Sequence, residues 1–424
     1  MALNARILGG IGRAFSHRNF AVYTTGATVS LVGTWLQKAA VGWLAWELTH
    51  DPAMVGIVVS ADLVPTVLIS PFAGVIADRQ RDLRLLALLQ VICLLQAGLL
   101  AALAFAGHVT VALLIVFTAA LGVVNGINQP LRQSLVNRLV PPADIAPAVA
   151  MNAVIFNVAR IIGPSIAGFV IHHYGASYAF LINAATFVVA LTSIAMVRLP
   201  RLERSSLRAA PMAAEIAAGY RYVWRHRGIG SLLVVGMSSA LLLRPVLEML
   251  PAFVGQVFRG NAEDLGFLMT VTGLGAMGSA LSIAWRGITH GLVRLVTLSI
   301  LTGSGAVVLF ALSEALWVGA IAVALLGMSI AMRGAGSQAL IQSAVDPAMR
   351  GRVMSLYTMM FNVGPAAGSL IIGFAASWVG LRVPLYAAAA VNLLVWIWFA
   401  ARQRTLVPAL EGRDSRVSRA VASQ

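Results

Sequence analysis

Charge is scarce in this chain. Asp, Glu, Lys and Arg make up 11% of its 424 residues, where a soluble domain carries about 25%. Acids are scarcer still, 15 against 30 Lys and Arg. Hydrophobic residues reach 59% and the mean hydropathy is +0.87. A chain with so little polar material cannot cover itself with a water-facing surface, so its solvent is a bilayer. Cysteine is almost missing: Cys93 stands alone in an apolar run, which excludes an intramolecular disulfide and a multi-cysteine metal site. No Gly-Lys-Ser/Thr phosphate loop occurs, which argues against a self-contained ATP-driven pump. A zinc-protease helix and a nucleophile elbow are missing as well. Long hydrophilic stretches are also few, and the longest, 198–228, splits the chain near its middle.

What the chain does have is a succession of long apolar runs. A membrane-spanning helix needs about 20 mostly apolar residues. The runs predict spans at 20–48, 53–77, 84–106, 110–131, 146–171, 176–197, 229–253, 264–285, 292–312, 315–335, 352–378 and 382–401. Each is a helix, because hydrocarbon offers the backbone no outside hydrogen-bond partner. Arg6, Arg13 and Arg18 ahead of an apolar run imitate a signal peptide, but the run from 20 to 48 is too long for one and reads as a retained first span.

Positive charge marks cytoplasmic loops. With the N-terminus inside, the inner loops collect Arg79, Arg81 and Arg84, then Arg132 and Arg138, then Arg198, Arg201, Arg204, Arg208, Arg221, Arg225 and Arg227 in the linker. Arg286, Arg294, Arg350, Arg352, Arg402, Arg404 and Arg413 follow on the same side, and the outer loops keep little beyond Arg259 and Arg382. Both termini are therefore expected in the cytoplasm of an inner-membrane, multi-pass protein. The asymmetry accounts for the net charge of +15 without any nucleic acid. In the linker, Met212, Ile216, Tyr220, Val223 and Trp224 recur at helical spacing opposite Arg221 and Arg225, which predicts an amphipathic helix on the inner membrane surface. The tail after Arg402 is polar and basic and is expected to be disordered.

The second half echoes the first at an offset of 205 residues. Gly122 matches Gly327, Gln133 and Leu135 match Gln338 and Leu340, and Val140, Pro142 and Ala143 match Val345, Pro347 and Ala348. Phe156-Asn157-Val158 matches Phe361-Asn362-Val363, and Gly163, Gly168 and Gly175 match Gly368, Gly373 and Gly380. About fourteen of some 54 positions are identical. The expected fold is an all-α polytopic membrane protein of twelve transmembrane helices in two pseudo-symmetric six-helix bundles. The expected parts are 1–197, the linker 198–228, 229–401 and the tail 402–424.

The loop after the second span reads Gly74, then Ala77-Asp78-Arg79, then Arg81 and Arg84. It resembles the loop 2–3 signature of the major facilitator superfamily, where it acts as a gate latch. The second half keeps only Arg286 and Arg294 at the matching loop and has no acid there, so the latch is expected on one side alone. Gly163-Pro164 with Gly168 is similar to the Gly-Pro motif of the superfamily's antiporters, and the same residue types suit plain close packing of bent helices. The phrases Gly33-Thr34-Trp35-Leu36-Gln37-Lys38, Trp43-Leu44 and Gln129-Pro130-Leu131-Arg132-Gln133 resemble the branch of enterobactin-type siderophore exporters and macrolide-type efflux proteins. The resemblance implies the major facilitator fold, with a substrate site between parallel halves near the midplane.

Ionisable residues within spans are costly and point to function. Lys38 and Asp62 lie at similar depth in spans 1 and 2, close enough for an ion pair. A carboxylate partly desolvated yet held by a cation can exchange protons in competition with substrate, so Asp62, with Lys38, is the first proton-coupling candidate; a static structural pair is the plain alternative. Glu248, four residues after Arg244 in span 7, is the second, with Pro245 and Pro251 loosening that helix. Arg160 in span 5 suits an anionic substrate. The further substrate-binding candidates are Gln37, Trp35, Asn125, Asn157, Arg244, Tyr357 and Asn362, each of which can equally bridge or pack helices. Arg333 near the inner end of span 10 is expected to snorkel toward the headgroups. Gly273, Gly275 and Gly278 match a dinucleotide fingerprint by letter, but inside an apolar span they read as helix packing. His172-His173 imitates a metal pair, but no carboxylate or cysteine stands near by in sequence, so no metal is expected.

The functional expectation is a secondary active transporter, not an enzyme. It exports an amphipathic small molecule by alternating access, driven by the proton gradient, with no other cofactor. Metabolite uptake by the same fold is the alternative; an intramembrane enzyme or lipid-handling scaffold is the alternative from another class. The expected partners are the small-molecule substrate, protons and membrane lipids, and the expected state is a monomer.

Overall fold

The computed structural model describes residues 12–79, 83–198, 212–226, 228–286 and 291–411. Among the described residues every regular element is a helix. In chain order they are α1 (Arg18–Thr49), α2 (Pro52–Arg79), α3 (Leu83–Phe105), α4 (Val111–Leu139), α5 (Ile145–Tyr174), α6 (Ala176–Met196), α7 (Met212–Arg225), α8 (Ile229–Ser238), α9 (Arg244–Glu248), α10 (Leu250–Gln256), α11 (Ala262–Arg286), α12 (Leu292–Leu312), α13 (Leu316–Ala344), α14 (Arg350–Val379) and α15 (Arg382–Ala401). Among the described residues, eleven helical segments are long and apolar enough to cross a membrane, α8 and α9 counting together as one. Helix α1 adds a twelfth of 32 residues, more polar because it carries Lys38 and Glu47. The twelve-helix, all-α layout expected from the sequence holds.

The chain forms two compact units. The first holds the described residues of Met1–His50, Ala61–Ser206 and Val254–Thr270; the second holds those of Asp51–Ser60, Leu207–Phe253 and Val271–Gln424. Two short segments are thus exchanged between the halves of the sequence: α2 begins in the second unit, and α11 begins in the first. Within the first unit α1 packs along α5 and α6, and α3 lies against α6. Within the second, α12 packs along α13 and α15.

The sequence echo is a structural one. Helix α4, the 3-10 turn Pro142–Asp144, α5 and Gly175 recur as α13, the turn Pro347–Met349, α14 and Gly380, each boundary displaced by the same 205 residues. Gly175 and Gly380 end their helices at φ of 91° and 82°, a backbone region that a side chain strongly disfavours. This is why glycine stands at both. Seventh-span residues do not form one continuous helix: a π turn over Ser239–Leu243 separates α8 from α9, and Met249 separates α9 from α10. Pro245 lies just beyond the π turn. Lacking an N–H to donate, it begins the next helix at its first turn.

Helix α7 forms where the linker pattern predicts an amphipathic helix. Val223 is buried in the second unit's core, while Tyr220 and Trp224 stay exposed. Tyr222 of α7 donates its hydroxyl to Asp346 (3.1 Å), which ties the helix to the start of the turn before α14. The tail expectation needs correction. Residues 403–411 form a further helix, α16, rather than disordered chain. Leu406 and Leu410, one turn apart, are buried in the second unit's core. Glu411 accepts hydrogen bonds from the backbone N–H groups of Gly291 (3.0 Å) and Val293 (2.9 Å), two of the orphan donors at the start of α12. The basic residues of this segment concealed its short apolar stripe.

Candidate functional site

Polar side chains inside apolar helices must find partners, and in the first unit they find them in two layers. Asp62 on α2 is nearly buried, and Lys38 of α1 reaches it with Nζ 2.7 Å from Oδ2. Asn125 of α4 donates to the other carboxylate oxygen at 3.2 Å. The carboxylate is thus shared by three helices, each contributing one polar group. Thr66, one turn along α2, donates to the Asp62 carbonyl and to that of Gly122. The α2 backbone comes so near α4 here that a Cβ on Gly122 would overlap the Asp62 carbonyl oxygen. Glycine at 122 is therefore what brings Asn125 within reach of Asp62. The Lys38 ammonium also lies over the Trp35 ring, 5.7 Å from its centre, and Trp35 meets Phe156 edge-on.

The second layer is neutral. Asn183 of α6 donates to the Gln37 carbonyl oxygen (2.6 Å), and the Gln37 amide donates to Gln96 of α3 (3.1 Å). Gln37 and Asn183 are each 1% exposed. Gln37, a substrate-binding candidate in sequence, is therefore engaged at both ends of its amide in bridging helices. A lone Gln in one span does not reveal whether it faces cargo or a neighbour.

The remaining candidates are spread over both units. Arg160 is half-buried midway along α5, and Asn157, one turn earlier, donates to Ala153 of its own helix. In the second unit Arg244 and Glu248 form the expected one-turn pair at 4.0 Å, with the Arg244 guanidinium 5.9 Å from the Phe361 ring centre. Tyr357 is buried and donates to the Gly334 carbonyl (2.8 Å), while Asn362 is half-buried on α14. Of the gate-latch residues, Gly74, Asp78 and Arg79 lie on the last turns of α2 and Arg84 is exposed at the start of α3; Arg81 lies outside the described residues. Gly163 and Pro164 are buried, and Gly163 faces α1 at Trp35 and the Val32 carbonyl. Gly168 faces the first turns of α11 at Ala262, Glu263 and Gly266.

Arg333 does not snorkel. It is 1% exposed and donates to the Ser299 carbonyl (2.9 Å) and to Asn392 Oδ1 (3.3 Å). Asn392, fully buried, donates in turn to Ser304 (2.7 Å) and the Ile300 carbonyl (3.2 Å), and receives Ser238. In sequence Arg333 stands near a span end, which predicts snorkelling. However, α13 runs on to Ala344, so that arginine is interior. Asn392 was missed altogether; its only signal was an amide in the middle of an apolar run.

Comparison with known proteins follows the same lines. The family model described as transmembrane secretion effector, a major facilitator family, matches residues 13–424. A staphyloferrin A transporter of Staphylococcus aureus is 26% identical over 356 residues, covering 82% of this chain and 87% of that protein. An enterobactin exporter of Shigella boydii is 25% identical over 236 residues, 55% of this chain and 56% of its own length. Among solved structures, a bacterial homologue of the lysosomal transporter Spinster, inward-facing and unoccupied, superimposes with a TM-score of 0.73 at 13% identity, over 93% of this chain and 98% of that one.

Proposed function

This chain belongs to the transmembrane secretion effectors of the major facilitator superfamily, which are transporters and not enzymes, and on that premise we propose that it exports an amphipathic small molecule in exchange for protons. The observation that carries the reading is the nearly buried Asp62, held by Lys38 and Asn125 from two other helices. A carboxylate at that depth is expensive, and a static bridge between helices is made as well by neutral amides, as Gln37, Gln96 and Asn183 do. An acid with a movable cationic partner has a further use: it takes up a proton when Lys38 leaves and releases it when Lys38 returns. Lys38 is suited to leaving, because its side chain is 37% exposed whereas that of Asp62 is 13% exposed.

In this reading Trp35 and Phe156 supply apolar contact for the cargo beside the ion pair. Arg160, half-buried on the helix that carries Asn157, meets an anionic group on it. A catecholate- or carboxylate-bearing siderophore, or a drug or secondary metabolite of the same chemistry, has both features. Both termini lie in the cytoplasm, following the arginine-rich loops. The protein acts as a monomer in the inner membrane. The test is transport by inverted vesicles energised with a pH gradient. Accumulation of a candidate cargo in wild-type vesicles, abolished in Asp62→Asn, is the expected result. Accumulation that persists in Asp62→Asn with its pH dependence intact removes the proton role, and cargo moving in the opposite direction makes the chain an importer.

A further inference from the structure

Among the described residues, the strongest cluster of donor atoms outside that pair is at the arginine-poor end of the first unit. His172 and His173 occupy the last turn of α5, and Glu263 the first turn of α11. One ligand atom from each of the three lies within 4.8 Å of the others. His173 Nδ1 is 3.5 Å from the Glu263 carboxylate and 3.1 Å from the Phe169 carbonyl. The two imidazole rings stand nearly perpendicular with centres 4.9 Å apart. In sequence the histidine pair lacked a carboxylate; the fold brings one from far along the chain.

Helix-end electrostatics explains part of this. Acids favour a first turn and bases a last turn, and Asn261 already caps α11 by accepting from the N–H groups of Glu263 and Asp264. It does not explain why two imidazoles and a carboxylate gather at one point. The fold itself supplies a control, because it builds this junction twice. Gly168 meets the first turns of α11 at Ala262, Glu263 and Gly266, and its repeat mate Gly373 meets the first turns of α2 at Pro52, Ala53 and Gly56. At the second junction the matching positions are Ser377, Trp378 and Ala53. The packing is therefore satisfied without a single ligand, and the three donors at the first junction are additional to it.

We propose that His172, His173 and Glu263 form a binding site for a divalent first-row transition metal of the zinc class. Two imidazoles and one carboxylate with an open fourth position are a zinc donor set, with metal bonds of about 2.0–2.2 Å. Tetrahedral ligands at such bond lengths lie roughly 3.3 Å apart, so ligand atoms that lie within 4.8 Å of one another close by at most about 1.5 Å when the ion enters. The exposed imidazoles have the freedom to do so. The bound ion ties the end of α5 to the start of α11. Hard cations such as magnesium, which prefer oxygen ligands in an octahedron, are excluded by the two nitrogens.

The experiment is zinc titration of the full-length protein in lipid nanodiscs, by calorimetry and by metal content after dialysis. One zinc per chain is expected, with an unfolding temperature raised by a few degrees in zinc and unchanged in magnesium. Cobalt is expected to give the absorption of a tetrahedral nitrogen–oxygen site. H172Q and E263Q are each expected to weaken zinc about tenfold or more, since loss of a partner behind a ligand alone costs that much. His172 is exposed, so H172Q decides the question if E263Q folds poorly; unfolding without zinc checks both. Failure of the wild type to hold stoichiometric zinc overturns the proposal. So does an H172Q variant that binds zinc and cobalt as the wild type does.

Discussion

In the first unit α2 meets Gly122 of α4 at Asp62; in the second, α11 meets Gly327 of α13 at Thr272. The two glycines are repeat mates, and in both places a Cβ would overlap a backbone carbonyl of the crossing helix. The steric plan has been kept and the chemistry has not. One crossing carries a carboxylate with a lysine and an asparagine upon it, the other a buried threonine. In the second unit the buried charge sits instead on Arg333, whose repeat mate is Asn128, and it is held by a carbonyl and an asparagine. Asp62 has a half-exposed cation as partner. Arg333 is wholly enclosed by neutral acceptors and holds its unit together. Packing at these crossings therefore follows the repeat, whereas the buried carboxylate stands at one of them alone.

Five substitutions break or sharpen that contrast. The largest effect is expected for Asp62→Asn, which is nearly isosteric: pH-gradient-driven transport falls to the background of empty vesicles while the protein remains folded, measured side by side by vesicle uptake and by thermal unfolding in detergent. Next comes Arg333→Met. It removes the interior hydrogen bonds from the guanidinium to the Ser299 carbonyl and the Asn392 amide oxygen, a loss of about 1–3 kcal/mol. It is read as a lower unfolding temperature, and the fraction that stays folded is expected to keep its pH dependence. Gly122→Ala and Gly327→Ala come third, each costing about 1–3 kcal/mol through overpacking at a helix crossing. Equal losses of stability are expected from the two, but only Gly122→Ala changes the pH profile of transport, because only that crossing carries the acid. A profile moved equally by both would make the two crossings functionally alike. The smallest effect is expected for Glu411→Ala, about 1–2 kcal/mol from uncapping α12, visible as faster amide exchange at Gly291 and Val293.

Much of this is legible in the sequence. Spans could be read because a bilayer leaves apolar length as the main variable, and the 205-residue echo returned as identical helix boundaries. The pairing of Lys38 with Asp62 followed from depth alone, since helix rise is fixed and two lone opposite charges in hydrocarbon seek each other. What failed has physical reasons too. Gln37 gave no sign of whether an amide faces cargo or a neighbouring amide, because the answer lies on other helices, at Gln96 and Asn183. The snorkelling arginine rested on a span end that α13 overruns. The tail was misread because Leu406 and Leu410 make too short a stripe to outweigh their basic neighbours.

The sequence by itself determined that the chain crosses a membrane about twelve times, in two related halves, with one acid and one lysine at matching depth in the first. Those are properties of single segments, set by length, hydropathy and local charge. Only the tertiary structure decided that Asn125 completes the Asp62 pair, that Arg333 is enclosed, that α16 caps α12, and that Glu263 joins two histidines. Each of these joins residues that local pattern cannot relate, because burial and hydrogen bonding depend on which helix arrives from elsewhere in the chain.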